Sequence, residues 1–147
     1  SLGLPAWVDR LAWKTFKKAF HRDPLTGHLR GWNVRLEQLG IDGPSEAMQK
    51  NGAPFTFGHF RVMWPGGYRL PKPCGRGLLL DYGLGGNPRF DPSAWVRDPI
   101  VALNPGDHRL LLGWSYLDLG FARVGTPSFF TLEREGPLRH PVAPPNP

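Results

Sequence analysis

Two polar dipeptides interrupt apolar runs in this chain: Asp81-Tyr82, which follows Leu78-Leu79-Leu80, and Arg97-Asp98, which sits between Val96 and Pro99-Ile100. A charge inside an apolar strand needs a partner or a solvated cavity, because an isolated ion is costly to bury. The structural reading pairs Asp81 with Arg97 and fixes the register of two strands at a barrel end, since buried charges are usually paired. The functional reading makes these groups polar anchors for a ligand in an apolar pocket. An enzyme using such a pocket would need a general acid or base with a displaced pKa, and Asp81, His59 and Tyr116 are residues of the right type.

Other motifs are less specific. Gly83-Leu84-Gly85-Gly86-Asn87-Pro88 resembles a phosphate-cradling loop, but Pro88 stands where a third glycine belongs and no helix is expected next, so it reads as a tight strand connection. Gly113-Trp114-Ser115-Tyr116-Leu117 lacks the last glycine of a nucleophile elbow and lies in mid-strand, which makes Ser115 a small packing residue. His21, His28, His59, His108 and His140 show no metal-ligand spacing, so no metal is expected.

Composition narrows the function classes. With 147 residues, 40% hydrophobic and 20% charged, a single globular domain is the natural expectation. The 19 glycines and 17 prolines fall between apolar runs, as in a protein of many short strands joined by turns. The net charge of +6 is scattered, with only Lys14, Lys17 and Lys18 close together. No stretch alternates basic and aromatic residues, so no specific nucleic-acid partner is expected. Cys74 is the only cysteine, which excludes an internal disulfide and a cysteine-rich zinc site. No apolar run is long enough to span a bilayer as a helix. Ser1 reads as a processing remnant with no secretory signal, and the expected location is cytoplasmic.

The elements that must position these residues follow from periodicity. A short helix is expected over Leu4–Trp13, with Pro5 in its first turn. Beyond Trp13 the pattern forks between a continued basic helix, with Arg10, Lys14, Lys17 and Lys18 along one side, and a strand over Thr15–His21 with Phe16, Lys18 and Phe20 on one face. The strand, with Asp23-Pro24-Leu25-Thr26-Gly27 as a hairpin turn, is preferred. Glu37–Pro54 reads as a long connection. Phe55–Trp64 is a strand with Phe60, Val62 and Trp64 on one face and Phe57, His59, Arg61 and Met63 on the other. Gly77–Tyr82 is a strand buried on both sides. Trp95–Leu103 is an edge or bulged strand because of Pro99. Arg109–Leu119 places Leu110, Leu112, Trp114 and Tyr116 against Leu111, Gly113, Ser115 and Leu117. Ser128–Arg134 closes the set. Seven or eight antiparallel strands in residues 1–135 predict one mainly β barrel domain, followed by a proline-rich extended tail over 136–147.

Four of these strands carry a resemblance. Leu78-Leu79-Leu80-Asp81-Tyr82, Val96-Arg97-Asp98-Pro99-Ile100, Leu110-Leu111-Leu112-Gly113 and Phe129-Phe130-Thr131-Leu132-Glu133 resemble uncharacterised bacterial lipocalin-like, or calycin-like, small barrel domains. Lys18-Ala19-Phe20 followed by Pro24-Leu25-Thr26-Gly27 is similar to their first hairpin. The resemblance implies an antiparallel barrel that holds a small hydrophobic or amphipathic ligand. Phe60, Trp64, Asp81, Tyr82, Trp114, Tyr116 and Phe130 are the expected ligand-binding residues. Haem-binding barrels of the nitrobindin type share the architecture, but His140 falls in the tail and no cofactor is assigned. The alternatives are an isomerase- or cyclase-type enzyme in the same cavity and a basic surface-binding module.

Overall fold

In this computed structural model residues 16–38, 42–68, 70 and 77–146 are described. Alternation after Thr15 resolves as a strand. β1 (Phe16–Arg22) pairs antiparallel with β2 (Leu29–Gln38), and the Asp23 carboxylate accepts from the Leu25 amide at 2.8 Å to set the turn between them. The helix expected over Leu4–Trp13 lies outside the described residues, and no α-helix occurs among them.

The connection expected over Glu37–Pro54 contains short strands. β3 (Ser45–Ala47) adds to β2, and β4 (Gln49–Lys50) and β5 (Ala53–Pro54) form a separate hairpin. Asn51 and Gly52 join that hairpin, both with positive φ, as a two-residue turn of this twist requires.

The main sheet runs β1-β2-β6-β7-β8-β9-β10, where β6 is Thr56–Met63, β7 Leu78–Asp81, β8 Val96–Asn104, β9 Asp107–Asp118 and β10 Arg123–Glu133. It is a curled half-barrel. β1 and β10 are its two ends, and no backbone pairing joins them among the described residues. Their side chains nonetheless meet: Phe16 and Phe130 make an edge contact at 6.2 Å, and Lys17 pairs with Glu135, two residues past β10, at 2.7 Å. Contact between end strands defines the face carrying Phe16 and Phe130 as the concave one.

Residues directly opposite on paired strands share a face, so the register assigns the rest. Phe20, Gly31 and Phe60 form one concave row, Val62, Leu80 and Asp98 a second, and Ile100, Gly113 and Phe130 a third. Phe60, Val62, Leu80, Tyr82 and Ile100 are the buried apolar core on this side. A methyl group at Gly113 would overlap the Phe130 ring, so glycine is what lets that ring lie flat on β9. Arg30, Arg61, Asp81, Arg97 and Tyr116 form a row on the convex face.

Two local expectations change. Strict alternation from Phe55 to Trp64 fails at a bulge: Phe60 lies opposite Gly31 and Phe57 opposite Asn33, so Trp32 faces both Gly58 and His59. Gly58 takes φ 51°, and its carbonyl accepts from Asn33 Nδ2 at 3.0 Å. The extra residue returns Phe57 to the side of Asn33 rather than that of His59. β8 is an interior strand rather than an edge, and its register shift lies at Ala102/Asn104 rather than at Pro99. Pro99 is accommodated because pairing with β9 lapses between Arg97↔Tyr116 and Ile100↔Gly113.

Beyond Glu133 no further strand forms among the described residues. Arg30 donates to the Val142 carbonyl at 2.8 Å, and the Asn146 amide donates to the Gly86 carbonyl at 3.0 Å. No described helix is long and apolar enough to cross a membrane.

Candidate functional site

β1 directs Lys18 inward between Phe16 and Phe20, an alternation that places a cation on an apolar face. The side chain is 2% exposed. Its Nζ donates to Asn33 Oδ1 at 2.9 Å, to Tyr82 Oη, and to Asp98 Oδ2 at 3.3 Å. Four rings surround the same nitrogen, those of Phe16, Phe60, Tyr82 and Phe130, with centroids 4.9–5.2 Å away. Ring faces attract a cation, so the cage offsets part of the cost of burying the ammonium.

Asp98 is the counter-ion. Besides Lys18, it accepts from Tyr82 Oη at 2.7 Å and from Ser115 Oγ at 2.7 Å. Five strands or their ends thus converge on one buried polar cluster: Lys18 from β1, Asn33 from β2, Tyr82 from the end of β7, Asp98 from β8 and Ser115 from β9. Burial pushes the Lys18 ammonium below its ordinary range, and the Asp98 carboxylate opposes that shift. Burial and the neighbouring Asp98 push the Tyr82 phenol well above its ordinary range, so it is a proton donor at neutral pH and not a phenolate.

The residues expected to bind a ligand divide between the two faces. Phe60, Tyr82 and Phe130 come together around Lys18. Asp81, Trp114 and Tyr116 lie on the convex face, and Trp64, just beyond β6, is 76% exposed. Trp114 stacks on Phe129 and donates from Nε1 to the Thr126 carbonyl at 2.6 Å. The expected set omits Lys18, Asn33, Asp98 and Ser115. Lysine between two phenylalanines of one strand face was the available signal for Lys18. Nothing local marks Asn33 or Ser115: Asn33 lies opposite Lys18 in the β1–β2 register, and Ser115 joins through its bond to Asp98 on the adjacent strand.

Asp81 has a structural environment. Its Oδ2 lies 3.1 Å from Arg97 Nε and accepts from Tyr68 Oη at 2.6 Å, and its Oδ1 accepts from the Gly83 amide at 2.8 Å to cap the short 3-10 turn Tyr82–Leu84. Arg97 spends its NH1 on the carbonyls of Ala94 and Val96, both at 2.8 Å. The pairing expected of Asp81 and Arg97 is therefore present, and every Asp81 oxygen is engaged. The other two acid–base candidates are buried with an unpartnered atom among the described residues: Tyr116 Oη and His59 Nδ1. His59 stacks on Trp32 at 6.1 Å, and burial, reinforced by Arg30, pushes its pKa down, so it is neutral at neutral pH. Register places Tyr116 opposite Arg97, whereas His59 sits at the bulge beside Trp32.

The Gly83–Pro88 loop acts as a connection. Asn87 Oδ1 accepts from the His59 amide at 2.8 Å, and Asn87 Nδ2 donates to the carbonyls of His59 and Tyr82 at 2.7 and 2.8 Å, tying β6 to the turn that positions Tyr82. No group of three or more His, Cys, Asp or Glu side chains suited to a metal occurs among the described residues. Compared with protein-family models, curated proteins and solved structures, the chain matches none of them.

Proposed function

We propose that this protein is a small calycin-like half-barrel that binds an amphipathic molecule on its concave face, with the polar end of the ligand at Lys18, Tyr82 and Asp98. The observation that carries this reading is the buried polar cluster walled by four aromatic rings. An apolar interior with a few convergent polar groups is the general chemistry of small-molecule sites. Lys18 and Asp98 already compensate one another, so a further charge would be stranded at that depth. The favoured ligand head is therefore uncharged, a carbonyl or a hydroxyl on an apolar body. Entry is through the seam between β1 and β10, where only side chains meet, and it displaces the half-buried Phe16–Phe130 pair.

Calorimetric titration with a long-chain aliphatic alcohol and the carboxylate of equal length tests this. The alcohol is expected to bind more tightly, with Phe16→Ala or Phe130→Ala changing its affinity and Trp114→Ala leaving it unaltered. Absence of binding to the unmodified protein, or loss of binding through Trp114→Ala alone, would overturn the concave site.

A further inference from the structure

We infer that Lys18 forms an imine with the carbonyl carbon of a long-chain aldehyde or ketone seated on the concave face. This deepens the ligand site proposed above and rests on it. Among the described lysines Lys17, Lys18 and Lys50, Lys18 alone is buried, and it is the one whose nitrogen contacts both a carboxylate and a phenol. A desolvated amine is a better nucleophile than an exposed ammonium, and the downward shift of Lys18 adds to that geometry.

Every proton in the condensation has a group within reach. Lys18 passes an ammonium proton to Asp98 Oδ2, 3.3 Å away. The nitrogen lone pair forms the C–N bond as the carbonyl π pair moves to oxygen. That oxygen takes up the proton shed by the newly bonded nitrogen, giving a neutral carbinolamine. Protonated Asp98 then donates to Tyr82 Oη, 2.7 Å away, as the phenol passes its own proton to the carbinolamine hydroxyl. Water leaves as the nitrogen lone pair closes the C=N bond. The product is an iminium beside ionised Asp98, the same net charge as the starting ammonium and carboxylate, and no oxidant or reductant is consumed. The cage fits this product. Phe16, Phe60, Tyr82 and Phe130 surround the position of the cation, and their apolar bulk keeps out the water that would hydrolyse the imine.

The test is reductive trapping of the full chain with a long-chain aliphatic aldehyde and cyanoborohydride at neutral pH, read by intact mass and peptide mapping. The expected result is a dominant adduct on Lys18, forming about tenfold faster than any on Lys14, Lys17, Lys50 or Lys72. The alcohol of the same chain length should slow it by competition. Lys18→Arg keeps a cation for Asp98 and should remove the fast adduct; should that variant fail to fold, the peptide map of the unmodified protein decides alone. Adducts confined to other lysines while the alcohol still binds would overturn the imine and leave the ligand site standing. No binding of either the alcohol or the aldehyde would remove both.

Discussion

Lys18 and Asp98, 80 residues apart in the chain, form an ion pair whose side chains are only 2% and 3% exposed. They enter the concave face from a terminal strand and an interior one. Their contact, with the cage around it, links β1 to the far side of the curl where no backbone ladder does so.

Breaking that pair from one side should be severe. Lys18→Met leaves Asp98 buried without its cation, and the expected cost is about 3–5 kcal/mol. Lys18→Met combined with Asp98→Leu should recover part of the loss, because two apolar groups need no compensation. Denaturant melts of the two single variants and the double variant measure this. Additive losses would show that the two groups do not act on each other.

Asp81 and Arg97 allow the same experiment on the convex face. Register places them directly opposite, and their side chains are 2% and 14% exposed. Asp81→Asn and Arg97→Gln should each destabilise the fold by about 3–5 kcal/mol, with the double variant less damaged than the sum. Tyr68→Phe should also cost stability, since it removes the phenol that donates to Asp81.

All three tyrosines should resist ionisation. Burial and Asp81 push Tyr68 up to about 12, and burial also raises Tyr82 and Tyr116. Their folded pKa values lie above the unfolded value, so the folded state retains protons that the unfolded chain releases above about pH 10. The resulting stability is complete below pH 10 and is lost as pH rises toward 12. Phenolate absorbance should therefore stay flat through pH 10 and then rise together with alkaline unfolding. A phenol ionising at pH 10 in the folded protein would contradict these burials.

His59 governs the acid side. Its folded pKa is depressed, so as pH falls through about 6.5 the unfolded chain takes up a proton that folded His59 refuses. Stability contributed by neutral His59 is present above about pH 6.5 and declines below it until the folded pKa is reached. His59→Gln should flatten the melting temperature between about pH 6.5 and 5, the range just below the ordinary histidine pKa of about 6.5. An unchanged acid slope would assign it to other groups.

Alternation and turn chemistry were enough to read a mainly β chain, the hairpin through Asp23–Gly27, burial of Leu79 and Leu80 on opposite sides of one strand, and the pairing of Asp81 with Arg97. Each rests on a period of two or on the cost of an unpaired buried charge, and both are local. The Asn51-Gly52 turn was also written in the chain, but the polar residues around it carry no strand alternation, so its hairpin was hidden in a long connection.

The tertiary structure decided which face is inside. Alternation on β9 separates Trp114 and Tyr116 from Gly113 and Ser115 without stating which set lines the concave side, and aromatic bulk favours the wrong answer. The curl instead places Gly113 and Ser115 inward, because Phe130 occupies the space over the glycine and Asp98 needs the serine hydroxyl. The bulge at Gly58 likewise changes the phase of β6 by one residue, which no period-two reading carries through. The cluster around Lys18 is completed by that curl: Asn33 faces Lys18 across the β1–β2 hairpin, but Tyr82, Asp98 and Ser115 come from strands or strand ends that only the curl brings to β1. Burial gives Lys18 its partners and its displaced proton affinity, and burial exists only once the sheet has curled around it.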